Sequence, residues 1–262
     1  MIRLWFNHQT CLRPCGDFMK TMGLIGGMSW ESTIPYYRII NETIRERLGG
    51  LHSARIILYS VDFHEIEQLQ QVGAWDEAGR VLAQAAGALA DAGAEGLALC
   101  TNTMHKVAPA IEAAVHIPLL HIADPTAAAV KQAGIHTVGL LGTKFTMQQD
   151  FYRGRLAERH GLAVRIPDAA DRDIVHRVIY EELCQGEIRP ESRAQYRAIM
   201  QWLVDAGAEG IILGCTEIAL LVGPDDAPVP LFDTTRLHAR SVAHWALEDE
   251  SSSRLFDVGA QR

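Results

Sequence analysis

The chain has 262 residues, 48% of them hydrophobic and 21% charged, with a formal net charge of -8. A globule of this length buries roughly 70 to 75% of its unfolded surface, so a substantial core is available and a disordered chain is excluded. No concentrated Lys/Arg run supplies the footprint that nucleic acid or an anionic membrane needs, and no apolar run approaches the ~18 residues of a membrane span.

Residues 1–18 precede "MKTMGLIGG" and read as a peripheral N-terminal extension; their charges and Pro14 break the apolar block that a signal peptide keeps. "MGLIGG" is the first strand. Its glycines run G-x-x-G-G rather than G-x-G-x-x-G and no P-loop lysine follows, which argues against a nucleotide cofactor. The helix "WESTIPYYRIINETIRERLGG" stops on a glycine pair and leads to the strand "ARIILYS". "VDFHEI" reads as extended, which sends Asp62, His64 and Glu65 to different faces and weakens them as a metal trio. Strands "GLALC", "IPLLHI" and "TVGLLG" follow, then one helix over "TKFTMQQDFYRGRLAERHG", the strand "LAVRIP", a helix end with a solvated acidic face at "YEELCQGE", and the strands "GIILGC" and "VPLFD". Strand and helix alternate throughout, so the class is α/β with mostly parallel sheets flanked by helices. Lone histidines in "TMHK" and "LHI" read as hydrogen-bonded structural residues. Five scattered cysteines without a CxxC pair point to a reducing compartment, and the expected location is the cytoplasm.

The chain also repeats itself. "DAGAEGLALCTNT" at Asp91 returns as "DAGAEGIILGCTE" at Asp205, "MGLIGG" at Met22 as "VGLLGT" at Val138, and "IPLL" at Ile117 as "VPLF" at Val229. Three matches in order with near-equal offsets predict two pseudo-symmetric lobes with a cleft between them: 19–120 plus 235–250 form the first, 121–234 the second, and 251–262 are a tail. The repeat also sets a register. Counting from Asp91 and Asp205, Gly214 falls opposite Cys100 and Cys215 opposite Thr101. Since side chains alternate along a strand, Thr101 faces the cleft if Cys215 does, and Cys100 turns into packing.

Ligands of open α/β sheets collect at the carboxyl ends of the strands, where both "CTNT" and "GCTE" lie. A helix start there would stabilise an anion and lower the Cys215 thiol pKa, while Asn102, Thr103 and Thr216 would donate to a substrate carboxylate. Two equivalent lobes that present Thr101 and Cys215 from opposite sides suit racemisation, in which one group removes a proton from a carbon and another returns it on the other face.

"GLIGGMSWEST", "SVDFHEIEQLQ", "CTNTMHK" and "GCTEI" together resemble the pyridoxal-phosphate-independent aspartate/glutamate racemase family, over nearly everything from Met19 to about Asp249. The resemblance implies a two-lobed α/β isomerase, no cofactor and no metal, an acidic amino acid as substrate, and a homodimer. It is similar to the subgroup acting on L-aspartate and L-glutamate, in which threonine, here Thr101, replaces the first catalytic cysteine. By the same resemblance Met28, Gln70, Asn102, Thr103, Thr216 and Glu182 bind substrate, Glu182 through the ammonium group. Basic residues that hold the side-chain carboxylate in other members have no counterpart here, where Glu67 and Cys184 stand. The rival readings are a maleate isomerase or decarboxylase on the same architecture, and a binding module that keeps the cleft without catalysis.

Overall fold

The computed structural model describes residues 19–248. The expected extension and tail lie outside them, as do Cys11, Cys15 and residues 249–250. All eight expected strands form: β1 Met22–Gly26, β2 Ile56–Ser60, β3 Gly96–Leu99, β4 Leu119–Leu120, β5 Thr137–Gly142, β6 Ala163–Arg165, β7 Gly210–Gly214 and β8 Leu231–Asp233. They make two four-stranded sheets of identical order, β2-β1-β3-β4 and β6-β5-β7-β8, with every pairing parallel. The central strands β1, β3 and β7 are buried along their whole length, which accounts for their near-continuous apolar sequence.

The helices are α1 Trp30–Leu48, α2 Phe63–Gln71, α3 Trp75–Asp91, α4 Ala108–Ala114, α5 Ala123–Gln132, α6 Lys144–Gln148, α7 Asp150–Gly154, α8 Ala169–Glu181, α9 Pro190–Asp205, α10 Ile218–Leu221 and α11 Thr234–Ala246. Alternation along β3 splits the core of the first lobe. Leu97 and Leu99 pack with Leu82, Ala86 and Leu89 of α3, whereas Ala98 and Cys100 pack with Tyr36 of α1 and Val242 and Ala243 of α11. Helix α11 therefore follows the last strand of the second sheet yet covers the first. The second lobe has one continuous core, which includes α5.

Two segments differ from the sequence reading. "VDFHEI" is not extended: Asp62 caps α2, accepting a hydrogen bond from the His64 N–H at 3.0 Å, the usual work of an aspartate at that position. The single helix expected over "TKFTMQQDFYRGRLAERHG" is broken at Gln149, which is extended (φ -93, ψ 153), and ends in a π turn over Arg155–Arg159. In an unbroken helix Met147 and Tyr152 would diverge by about 140°. The break resets the phase, and both are fully buried.

Candidate active site

The repeat puts equivalent residues at equivalent strand ends. Ile25 pairs with Leu99 in the first sheet and Leu141 with Leu213 in the second, and Thr101 and Cys215 each lie two residues beyond the paired leucine. Met28 beyond β1, Thr101 to Thr103 beyond β3, Thr143 beyond β5, and Cys215 and Glu217 beyond β7 meet around one small cavity between the sheets. Cys100, one residue early, is fully buried among apolar side chains, and burial pushes its thiol up.

Polar contacts stitch the lobes across this cavity. Thr103 Oγ1 is 2.9 Å from Thr143 Oγ1, Asn102 Nδ2 donates to Thr234 Oγ1 at 3.0 Å, and Ser29 Oγ donates to Glu217 Oε1 at 2.8 Å. Thr234 already gives its proton to the Leu213 carbonyl, so Asn102 must be the donor in that pair. Its Oδ1 is left buried without a hydrogen-bond partner among the described residues, an acceptor at the cavity wall that a buried site normally satisfies.

Cys215 is buried and its Sγ donates to Glu217 Oε2 at 3.0 Å. The same oxygen accepts from Thr216 Oγ1 at 2.8 Å, and Ser29 N–H adds a bond to Oε1 at 3.2 Å. The expectation of a thiol acidified by a helix start is overturned. Burial raises the Cys215 thiol well above its ordinary value, and the neighbouring Glu217 charge raises it further. Helix α10 begins only at Ile218 and has four residues, too few for a strong end charge, whereas the carboxylate is in contact. Glu217 was missed in the sequence because its partner Ser29 is 188 positions away. The legible signal was an acidic residue two places after a strand-end thiol.

This cavity offers only about 20 Å3, roughly one water. A basin of about 750 Å3 lies outside it and shares Phe63, Gln70, Tyr180 and Cys184 with the chamber wall. The partition spans the lobes: Tyr180 on α8 donates to Gln70 Oε1 at 2.7 Å and stacks on Phe63 of α2, with ring centroids 6.3 Å apart. The other end of Gln70 donates to Met104 Sδ at 2.9 Å.

Of the residues expected to bind substrate, Met28, Gln70, Asn102 and Thr103 line the chamber, and Thr216 and Glu182 do not. Thr216 turns its hydroxyl to Glu217. Glu182 is not on a solvated face: it is buried, accepts from Ser192 Oγ at 2.6 Å and pairs with Arg177 at 3.4 Å. Among the described residues no lysine or arginine lines the chamber. Lys144 and Arg177 stand in the outer basin, each already paired with an acidic residue. No group of three metal-ligating side chains occurs among the described residues.

Behind Thr101 lie three buried histidines. His105 Nδ1–H donates to the Thr101 carbonyl at 2.7 Å, and its Nε2 accepts from Ile122 N–H. His121 packs on it at 4.3 Å between centroids. His238 donates to the Leu120 carbonyl and accepts from the Tyr36 hydroxyl, both at 2.8 Å. Burial holds all three neutral, with His121 pushed down to about 3 and His238 to about 4. A depressed histidine contributes stability that is present above the unfolded value near 6.5 and is lost as pH falls toward the folded value. For His238 this converts to roughly 3 kcal/mol between pH 6.5 and 4. Urea midpoints should therefore drop steeply below pH 6.5, and less steeply in His238→Gln; equal slopes in the two proteins would contradict the assignment.

Two repeated α/β lobes with a buried thiol at their shared cleft define a class of enzyme. The chain belongs to the Asp/Glu/hydantoin racemase family, whose model matches residues 25–242, and it is an isomerase of the amino-acid racemase type. A putative Asp/Glu racemase from Yersinia pestis is 61% identical, with a TM-score of 0.82 over 88% of this chain and all of that one. PH1733, an aspartate racemase homologue from Pyrococcus horikoshii OT3, is 36% identical with a TM-score of 0.75 at the same coverage. The broad specificity amino-acid racemase RacX of Bacillus subtilis (strain 168) is 21% identical over 242 residues, 88% of this chain and all of RacX. No described helix is long and apolar enough to cross a membrane.

Proposed function

We propose that the protein racemises L-aspartate and L-glutamate without a cofactor, with Cys215 working on one face of the α-carbon and Thr101 on the other. The observation that carries this reading is that these two residues, equivalent in the repeat, line one chamber. A threonine hydroxyl has no accessible anionic form near neutral pH, so the cleft is asymmetric. Cys215 removes the proton from the enantiomer presented to it, and the Thr101 face returns one from its hydroxyl or a water it holds. The free Asn102 Oδ1 suits the substrate ammonium. Room for about one water means the lobes part at the Tyr180, Gln70 and Phe63 partition to admit an amino acid.

One observation favours a second reading on substrate. Among the described residues no cation lines the chamber to meet a second carboxylate, and Glu217 already stands there, so an amino acid with a neutral side chain meets less repulsion. The name of RacX, a broad specificity racemase, agrees with that breadth. Both readings are tested by incubating each enantiomer of a panel of amino acids in deuterated water without added cofactor, followed by chiral separation and mass analysis. Deuterium at the α-carbon with inversion is expected for aspartate and glutamate. Exchange confined to neutral side chains supports the second reading, and ligand-induced stabilisation without any exchange would falsify both.

A further inference from the structure

Thr101 is held from behind by a side chain that its counterpart in the second lobe does without. Its N–H closes a tight turn onto the Leu99 carbonyl at 2.9 Å, and its carbonyl accepts from His105 Nδ1–H at 2.7 Å. His105 is buried, and Ile122 N–H donates to its Nε2 at 3.2 Å. A backbone N–H can only donate, so Nε2 carries the lone pair and the ring proton sits on Nδ1, aimed at Thr101. In the repeat His105 stands opposite Ala219, and the Cys215 carbonyl accepts from Ile218 N–H at 3.2 Å. The two strand ends are equivalent, yet the first is pinned by an imidazole and the second by its own backbone.

We infer that His105 is a positioning residue for the Thr101 face of the cleft. The inference rests on the racemase reading. A neutral hydroxyl has no charge to act at a distance, so what it contributes depends on where its oxygen stands. With the N–H anchored on Leu99 and the carbonyl on His105, both backbone torsions of Thr101 are fixed, and so is the direction in which its side chain leaves the chain. The peptide from Thr101 to Asn102 is trans, which sets its N–H antiparallel to its carbonyl. Asn102 N–H is therefore turned away from His105, and Asn102 lines the chamber. His105 itself does not line it and acts through the backbone of Thr101.

The test uses the full-length protein in deuterated water with each enantiomer of aspartate, or of the panel amino acid that wild type inverts fastest. Chiral separation with mass analysis gives two rates, α-deuteration with inversion and α-deuteration with retention. For the enantiomer whose α-hydrogen meets Cys215, inversion needs delivery from the Thr101 face. Retention needs only that Cys215 takes the proton, exchanges it for a deuteron with solvent and returns that. His105→Leu removes the donor and should slow inversion by about 30-fold or more, with retention kept within about threefold, so the ratio of the two rates falls by about tenfold or more. His105→Asn brings an amide N–H to the place of Nδ1–H and should recover inversion about tenfold over His105→Leu. If His105→Leu does not fold, His105→Gln replaces it, since its amide reaches the place of Nε2 and leaves the Thr101 carbonyl without its donor; the same fall in the ratio is expected. His121→Leu removes the ring that packs on His105 at 4.3 Å, whose own hydrogen bond is from Ala123 N–H, and should keep the wild-type ratio whatever it costs in Tm. Equal loss of both rates without the donor, an equal change of ratio in His121→Leu, or no recovery in His105→Asn overturns the inference. A wild type that exchanges the α-proton of no amino acid defeats the racemase reading, whereas an active wild type whose His105 variants keep its ratio defeats this inference alone.

Discussion

Cys215→Ser is expected to lower racemisation by about 10³-fold or more, the scale of losing a general base, while Cys100→Ser keeps it within about threefold. The two cysteines differ in place more than in chemistry. Both are buried and both thiols are raised by burial, so neither burial nor acidity singles one out. What does is that Cys215 lines the chamber and donates to Glu217, whereas Cys100 Sγ reaches only the Ala98 carbonyl, at 3.9 Å, within an apolar cluster. A serine at position 100 carries a hydroxyl into that cluster and should cost about 1 to 2 kcal/mol of stability. Kinetics and urea unfolding of both variants separate the effects. A Cys100→Ser protein that folds and does not turn over would show that the register across the repeat is wrong.

Gly27→Ala is expected to destabilise the protein by about 3 kcal/mol or more and to abolish activity in what still folds. Gly27 has φ +92, and a Cβ there would lie 2.3 Å from the Val61 carbonyl oxygen and 2.7 Å from the Val61 nitrogen. Both are backbone atoms at the end of β2, held by the bond from Val61 N–H to the Gly26 carbonyl, so they cannot rotate aside as a side chain would. Gly73 provides the control: φ is +72 with nothing within 4 Å of a built Cβ, and its alanine variant should lose only the ~1 to 2 kcal/mol of the left-handed backbone. Comparable midpoints for the two variants would remove close packing as the reason for Gly27. Gly27 of "GLIGG" thus lets the backbone after β1 pass close to the end of β2, just before Met28 at the chamber wall and Ser29 against Glu217, a role the spacing left open once a nucleotide site was set aside.

The α/β class, all eight strands, the two lobes and the placing of Thr101 and Cys215 at equivalent strand ends were legible in the sequence. Each of these is a one-dimensional regularity: apolar runs of strand length, a repeat from Asp91 to Asp205, and alternation by twos. The state of the thiol, the small size of the chamber and the three-histidine stack behind Thr101 were not. They depend on contacts such as Ser29 with Glu217, Tyr180 with Gln70 and Tyr36 with His238, between residues more than a hundred positions apart that no periodicity links. Glu182 shows the same limit, since a polar helix end reads as solvated until Ser192 and Arg177 are brought against it. Local chemistry and periodicity decided which strand ends meet. Only tertiary packing decided that a thiol expected to be acidic is buried against a carboxylate, because burial and the sign of the nearest charge are properties of the assembled cleft.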